Sequence, residues 1–144
     1  MNTTAIKNLS AAEWLWLVEG YARLCWVRAC LRWAGDQWLK SRLQSTNIAP
    51  DDAADVVGLP QRKYAGMHES IRLAARLQGS SVACLPRSLV LAAMLQRRGC
   101  AARTVLGVAK NETGIASHAW VEVNGQPVSE PEQVSQDFAR VTRS

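Results

Sequence analysis

Cys84 opens a helix-like run, and His118 lies further along the chain inside a strand-like run. These two side chains can carry covalent chemistry. A thiol at a helix N-terminus feels the positive end of the helix dipole, which favours thiolate, and an imidazole held nearby completes its activation. The words around them are Cys84-Leu85-Pro86-Arg87-Ser88-Leu89 and Ser117-His118-Ala119-Trp120-Val121-Glu122. A cysteine nucleophile with a histidine base is the working pair of a cysteine protease, and that is the reading these residue types favour. The alternative for Cys84 is a buried structural thiol.

The remaining cysteines, Cys25, Cys30 and Cys100, form no C-x-x-C pair with each other or with Cys84, and His68 and His118 have no zinc-like spacing to them. Neither a metal nor a cofactor is expected from that pattern, and buried reduced thiols are the default for the other three. His68 sits in a helix-like stretch, where a lone histidine is usually a surface or capping residue. Met1 to Ser10 is polar and the apolar run after it is broken by Glu13, Glu19 and Arg23, so no secretory signal is visible and a cytoplasmic protein is expected.

A chain of 144 residues with 48% apolar and 20% charged content suits a single globular domain. Its 17 basic and 12 acidic residues give a mild net charge of +5. The distribution says more than the total. From Ser70 to Asn111 there is no acidic residue, while Arg72, Arg76, Arg87, Arg97, Arg98, Arg103 and Lys110 all fall there. The Cys84 segment should therefore sit in positive potential, which attracts anionic peptides. A nucleic-acid site is not expected, because no such motif is present and the tryptophans cluster elsewhere; a solvated basic face is the plain alternative.

The elements that must position the pair follow from pattern. Ser10 to about Leu43 reads as helix, with Ser10 as N-cap and Glu13 at the capping-box spacing. Glu19/Arg23, Arg32/Asp36 and Asp36/Lys40 stand at i, i+4 but not in one stripe, so apolar surface faces several directions. Either the helix breaks, with Gly35 as the candidate point, or it is packed on several sides by the domain, a partner or a membrane surface. A buried scaffold helix is the favoured reading. Ser45 to Pro60 is a connection, a second helix covers about Arg62 to Leu77, and a third runs from Cys84 to Gly99, with Pro86 in its first turn and Arg97 and Arg98 at its end. Arg103 to Ala109 and Ala116 to Val123 read as strands, Asn124-Gly125 as a tight turn, and Gln126 to Ser129 as a short third strand before a polar tail. The result is an α+β fold: N-terminal helices, then a Cys-bearing helix packed on a small antiparallel sheet. Residues 1–60 form a Trp-rich helical region and residues 61–144 the core, within one compact domain.

A helix that starts with Cys, packed on an antiparallel sheet that carries His, is the heart of papain-like and transglutaminase-like folds. The words at Cys84–Leu89, Arg97-Arg98-Gly99, Gly107-Val108, His118–Glu122 and Pro127-Val128 resemble the transglutaminase-like B proteins of lasso-peptide biosynthesis. The likeness is close from Arg72 to Glu130 and one of character only in the Trp-rich region. It implies a cysteine peptidase that removes the leader from a ribosomally made precursor peptide, freeing the amine that a separate cyclase joins to an Asp or Glu side chain. In such systems the B function can be split, and this chain resembles the cutting half, with a small leader-recognition protein and the cyclase as implied partners.

The resemblance also implies a third catalytic residue after the Pro-Val word, where the family usually has Asp and this chain has Glu130. A regular hairpin through Asn124-Gly125 would place Glu130 opposite Ala119, on the wrong face from His118. A one-residue bulge around Pro127 is therefore expected, and without it Ser129 or no third residue becomes the reading. Glu122 lies four residues from His118, about 13 Å along a strand at ~3.3 Å per residue, and is out of reach. Two other function classes share these residues: a different transglutaminase-like activity on Gln side chains, and a non-catalytic module that binds through the Trp-rich helices.

Overall fold

Ser10 starts the first helix with a complete capping box. Its hydroxyl accepts the Glu13 amide at 3.3 Å, and its own amide donates to Glu13 Oε2 at 2.8 Å. The computed structural model describes residues 9–45, 61–79, 83–111, 114–128 and 137–141. Among these, helix α1 spans Ala11–Trp33, α2 Gly35–Ser45, α3 Gln61–Leu77 and α4 Cys84–Gln96. Strands follow as β1 Ala102–Asn111, β2 Gly114–Val123, β3 Gln126–Val128 and β4 Ala139–Arg140, in the sheet order β3-β2-β1-β4 with every pairing antiparallel.

The long N-terminal helix breaks at the candidate point: Gly35 takes φ +55, a left-handed conformation that costs glycine little. Its burial departs from expectation. Only Leu17, Gly20, Leu24 and Val27 of α1 are buried, while Trp26 is 65% and Trp33 87% exposed. The apolar residues of α1 point several ways, and one domain can cover only one of those directions. Trp16 and Trp38 do pack against the core. Polar links fasten α1 to its neighbours: Arg28 donates to Gln78 Oε1 at 2.9 Å past the end of α3, and Arg98 pairs with Glu19 at 2.9 Å just past α4.

The core lies between the helices and one face of the sheet. Leu24, Met67, Ile71, Val90, Met94 and Leu95 meet Ala102, Val121, Val123 and Val128 there. α4 is nearly all apolar because it is enclosed, with Leu89, Val90, Leu91, Ala92, Met94 and Leu95 all buried. Asn124 and Gly125 take φ 51 and φ 79, the pair of positive values that a two-residue hairpin turn requires. The turn pairs Val123 with Gln126, then Glu122 with Pro127 and Val121 with Val128. That register is regular through Val128, so among the described residues the bulge expected around Pro127 does not occur. A proline can sit in this short strand without interrupting the pairing. The tail, whose sequence pattern predicts a polar segment with at most one helical turn, supplies β4: Arg140 pairs with Gly107 and Ala139 with Val108.

Candidate active site

Cys84 is the first residue of α4 and half-buried. Its N-cap, Ala83, has no side chain able to accept a first-turn amide, and the first turn carries no acidic residue. The positive end of the helix is therefore not offset by its own sequence. Arg87, Ser88 and Leu91 share the helix face of Cys84 through the i, i+3, i+4, i+7 spacing. Together with His68 of α3, Ala119, Trp120 and Val121 of β2, and Val128 of β3, they line one small pocket with the thiol.

The helix is locked to the strand beside the site. Ser88 Oγ donates to the Ala119 carbonyl at 2.9 Å, and Thr104 Oγ1 donates to the Ser88 carbonyl at 3.3 Å, both buried. One turn of α4 thus separates Cys84 from a direct bond to the residue next to His118. This clamp holds the Cys84 helix in register with the His118 strand.

Strand alternation splits β2 between two surfaces. Ala119, Val121 and Val123 turn toward α4, whereas His118, Trp120 and Glu122 share the opposite face. The His118 ring stacks on Trp120 with centroids 6.3 Å apart and planes at 19°, and meets Phe138 at 5.4 Å. Gly107 lies across from His118, and a Cβ there would come within 2.6 Å of the Trp120 ring and 2.7 Å of Phe138 Cβ. The missing side chain is what lets the two aromatic residues close around the imidazole.

Below His118 the same face ends in a buried charge cluster. Glu122 is 0% exposed, and both of its carboxylate oxygens are engaged. Trp120 Nε1 donates to Oε1 at 3.0 Å, Arg140 Nη2 approaches Oε1 at 2.8 Å, and Arg103 donates to Oε2 through Nε at 3.1 Å and Nη2 at 2.8 Å. Glu122 therefore anchors Trp120, β1 and β4 to one another, a role distinct from orienting an imidazole.

The structure brings Cys84 to Ala119 and Trp120, the two residues directly after His118, while the His118 ring is turned to Trp120 and Phe138 and is not among the residues lining the thiol pocket. Glu130 and Ser129 lie outside the described residues. Sequence reasoning misses two members of the pocket. His68, expected at the surface or in a cap, is half-buried against it because α3 packs beside α4; no local pattern marks that. Arg87 enters the sequence pattern only as one cation in a basic run, although its spacing from Cys84 already puts both on one helix face. Of the other thiols, Cys100 is buried as the default expects, whereas Cys30 is half-buried and Cys25 exposed.

Among the described residues no group of His, Cys, Asp and Glu is placed to hold a metal ion, and no helix is long and apolar enough to cross a membrane. The family profile described as the Transglutaminase-like superfamily matches residues 35–143. No curated protein and no solved structure matches the chain.

Proposed function

Because the chain belongs to the transglutaminase-like superfamily, whose members are generally cysteine-dependent enzymes, we propose that it is a cysteine peptidase that removes the leader from a ribosomally made lasso-peptide precursor. The observation that carries this reading is the clamp between α4 and β2, in which Ser88 bonds Ala119 and so holds the Cys84 helix against the strand of His118. The words around both residues direct it toward leader removal.

In the proposed reaction the Cys84 sulfur attacks the scissile carbonyl carbon and its proton passes to His118, whose ring has to leave its contact with Trp120 and Phe138 and reach the thiol side of β2 for that transfer. The tetrahedral oxyanion is stabilised by amides at the start of α4, the Cys84 N–H among them. Collapse breaks the C–N bond, His118 returns the proton to the departing amine, and the leader remains as a thioester on Cys84. Water then attacks the thioester, His118 again takes a proton and returns it to sulfur, and the leader leaves with a new carboxyl group. The freed amine is the nucleophile a separate cyclase needs. Because the hairpin is regular through Val128, Glu130 is not assigned to orient His118, and Ser129 or no third residue takes that place. A small leader-recognition protein delivers the precursor, and the reaction takes place in the cytoplasm.

The test is mass spectrometry of the precursor incubated with this protein and its leader-recognition partner, using wild type, Cys84→Ala and His118→Ala. One main-chain cut by the wild type and none by either variant supports the reading. An uncut precursor, with the partner shown to bind leader, counts against it and favours a docking role. Modification of a Gln side chain without main-chain cleavage favours transglutaminase chemistry.

A further inference from the structure

Arg87 presents an anomaly beside the nucleophile. Its Nε is buried and has no hydrogen-bond partner among the described residues. Buried donors in folded proteins are nearly always satisfied, and an unsatisfied one that belongs to a fixed cation is costlier than a neutral one. Among the described residues the pocket offers it no relief, because none of those that line it is acidic. Nor does the surrounding sequence, which has no Asp or Glu from Ser70 to Asn111. Glu122, the buried acid of this region, is already engaged by Arg103, Arg140 and Trp120.

We propose that Arg87 is the specificity-determining residue of this site and receives a carboxylate side chain of the substrate peptide, one or two residues from the bond attacked by Cys84. The proposal rests on the peptidase reading for its substrate and adds the chemical class that the pocket selects. An anion is the appropriate occupant because a guanidinium cannot shed its charge and its fork matches a carboxylate. The distance follows from helix geometry. Residues three apart on a helix have Cβ atoms about 5–6 Å apart, and an extended peptide advances ~3.3 Å per residue. A carboxylate held by Arg87 therefore belongs to a side chain one or two positions from the carbonyl at Cys84. An Asp or Glu of the substrate fits, and a neutral Asn or Gln of the same shape leaves the cation uncompensated.

The experiment separates this inference from the peptidase reading because its first arm needs no cleavage. Cys84 in the full chain is alkylated with iodoacetate, an anion, and with neutral iodoacetamide, and each rate is followed on the Cys84 peptide by mass spectrometry. The exposed Cys25 in the same molecule serves as reference. The ratio of iodoacetate to iodoacetamide rates at Cys84 should exceed that at Cys25 by about tenfold, the scale of one hydrogen bond to a charged group. Arg87→Gln should bring it down to the Cys25 value, Arg87→Lys should keep part of it, and Arg97→Gln, which removes a cation elsewhere, should leave it unchanged. An equal ratio in wild type and Arg87→Gln overturns the proposal, as does an equal fall in Arg97→Gln, which would assign the effect to general positive potential. The second arm replaces each acid near the cut of the precursor by its amide. The wild-type cleavage rate should fall at least tenfold at one position, and the Arg87→Gln rate should not respond there. Insensitivity of the wild type at every position overturns the substrate assignment. If Cys84 shows the anion preference and the precursor is never cut, the peptidase reading has failed and the anion subsite stands.

Discussion

Replacing Glu122 with Gln should lower the stability of the fold by about 3 kcal/mol, although the two side chains have nearly the same shape. Oε1 accepts from Trp120 and Arg140, and Oε2 accepts twice from Arg103. An amide has one oxygen, so either orientation turns an NH2 group toward a donor. If the oxygen stays with Trp120 and Arg140, the amide nitrogen faces the Arg103 guanidinium; if it turns, Trp120 Nε1 and Arg140 lose their acceptor. Hydrogen bonds to charged groups contribute about 1.5–3 kcal/mol each, and breaking a buried ion pair from one side costs about 3–5 kcal/mol. The arginines are 35% and 41% exposed, so water takes over part of their solvation, which places the expected loss at the lower end. The assay is urea unfolding of wild type and variant by circular dichroism. The midpoint should fall with an unchanged slope, and the melting temperature should drop by about 10 °C. A loss under about 1 kcal/mol would refute the reasoning, because it would mean that the cluster is solvated like a surface pair.

Gly107→Ala inserts a methyl group 2.6 Å from the Trp120 ring and 2.7 Å from Phe138 Cβ, and should cost about 1–3 kcal/mol and reduce the proposed peptidase activity more than a core methyl elsewhere; unaltered stability in thermal melts would show that the two aromatics move aside freely. Ser88→Ala removes the bond from α4 to the Ala119 carbonyl. It should slow the proposed precursor cleavage by about tenfold or more with KM little changed, since small misplacements of reacting groups are expensive; an unchanged kcat would show that packing alone holds the register. Ser10→Ala removes the cap of α1 and should cost about 1 kcal/mol in urea unfolding. Burial pushes the Glu19 carboxyl upward, but hydrogen bonds from Arg98 and Arg23 outweigh it and hold it below its ordinary value of 4.5. With a lowered folded value, its contribution to stability is complete above pH 4.5 and lost as pH falls through that lowered value. Glu19→Gln should therefore flatten the acid limb of melting temperature against pH, and an identical limb would show that Glu19 carries none of it.

Much of this protein is legible in its sequence alone, because local physics has a local signature. The capping box at Ser10 and Glu13, the break at Gly35, the start of α4 at Cys84 and the Asn124-Gly125 hairpin each depend on residues adjacent in the chain. Residue types and spacing also place Cys84 and His118 on a helix and a strand of an α+β fold. Tertiary structure decides what lies beside them. β4 has only two paired residues, too few for a strand pattern, and is held by its ladder to β1, the Val141 bond to the Leu106 carbonyl and the Arg140 pair with Glu122. The hairpin stays regular through Pro127 because the pairing on both sides of it is sufficient, which no single-residue preference could foretell. His68 reaches the thiol pocket through the packing of α3, and the shape of that pocket leaves Arg87 Nε without a partner among the described residues. Contacts between residues distant in the chain depend on how whole elements pack, and such contacts leave no periodicity in the sequence that makes them.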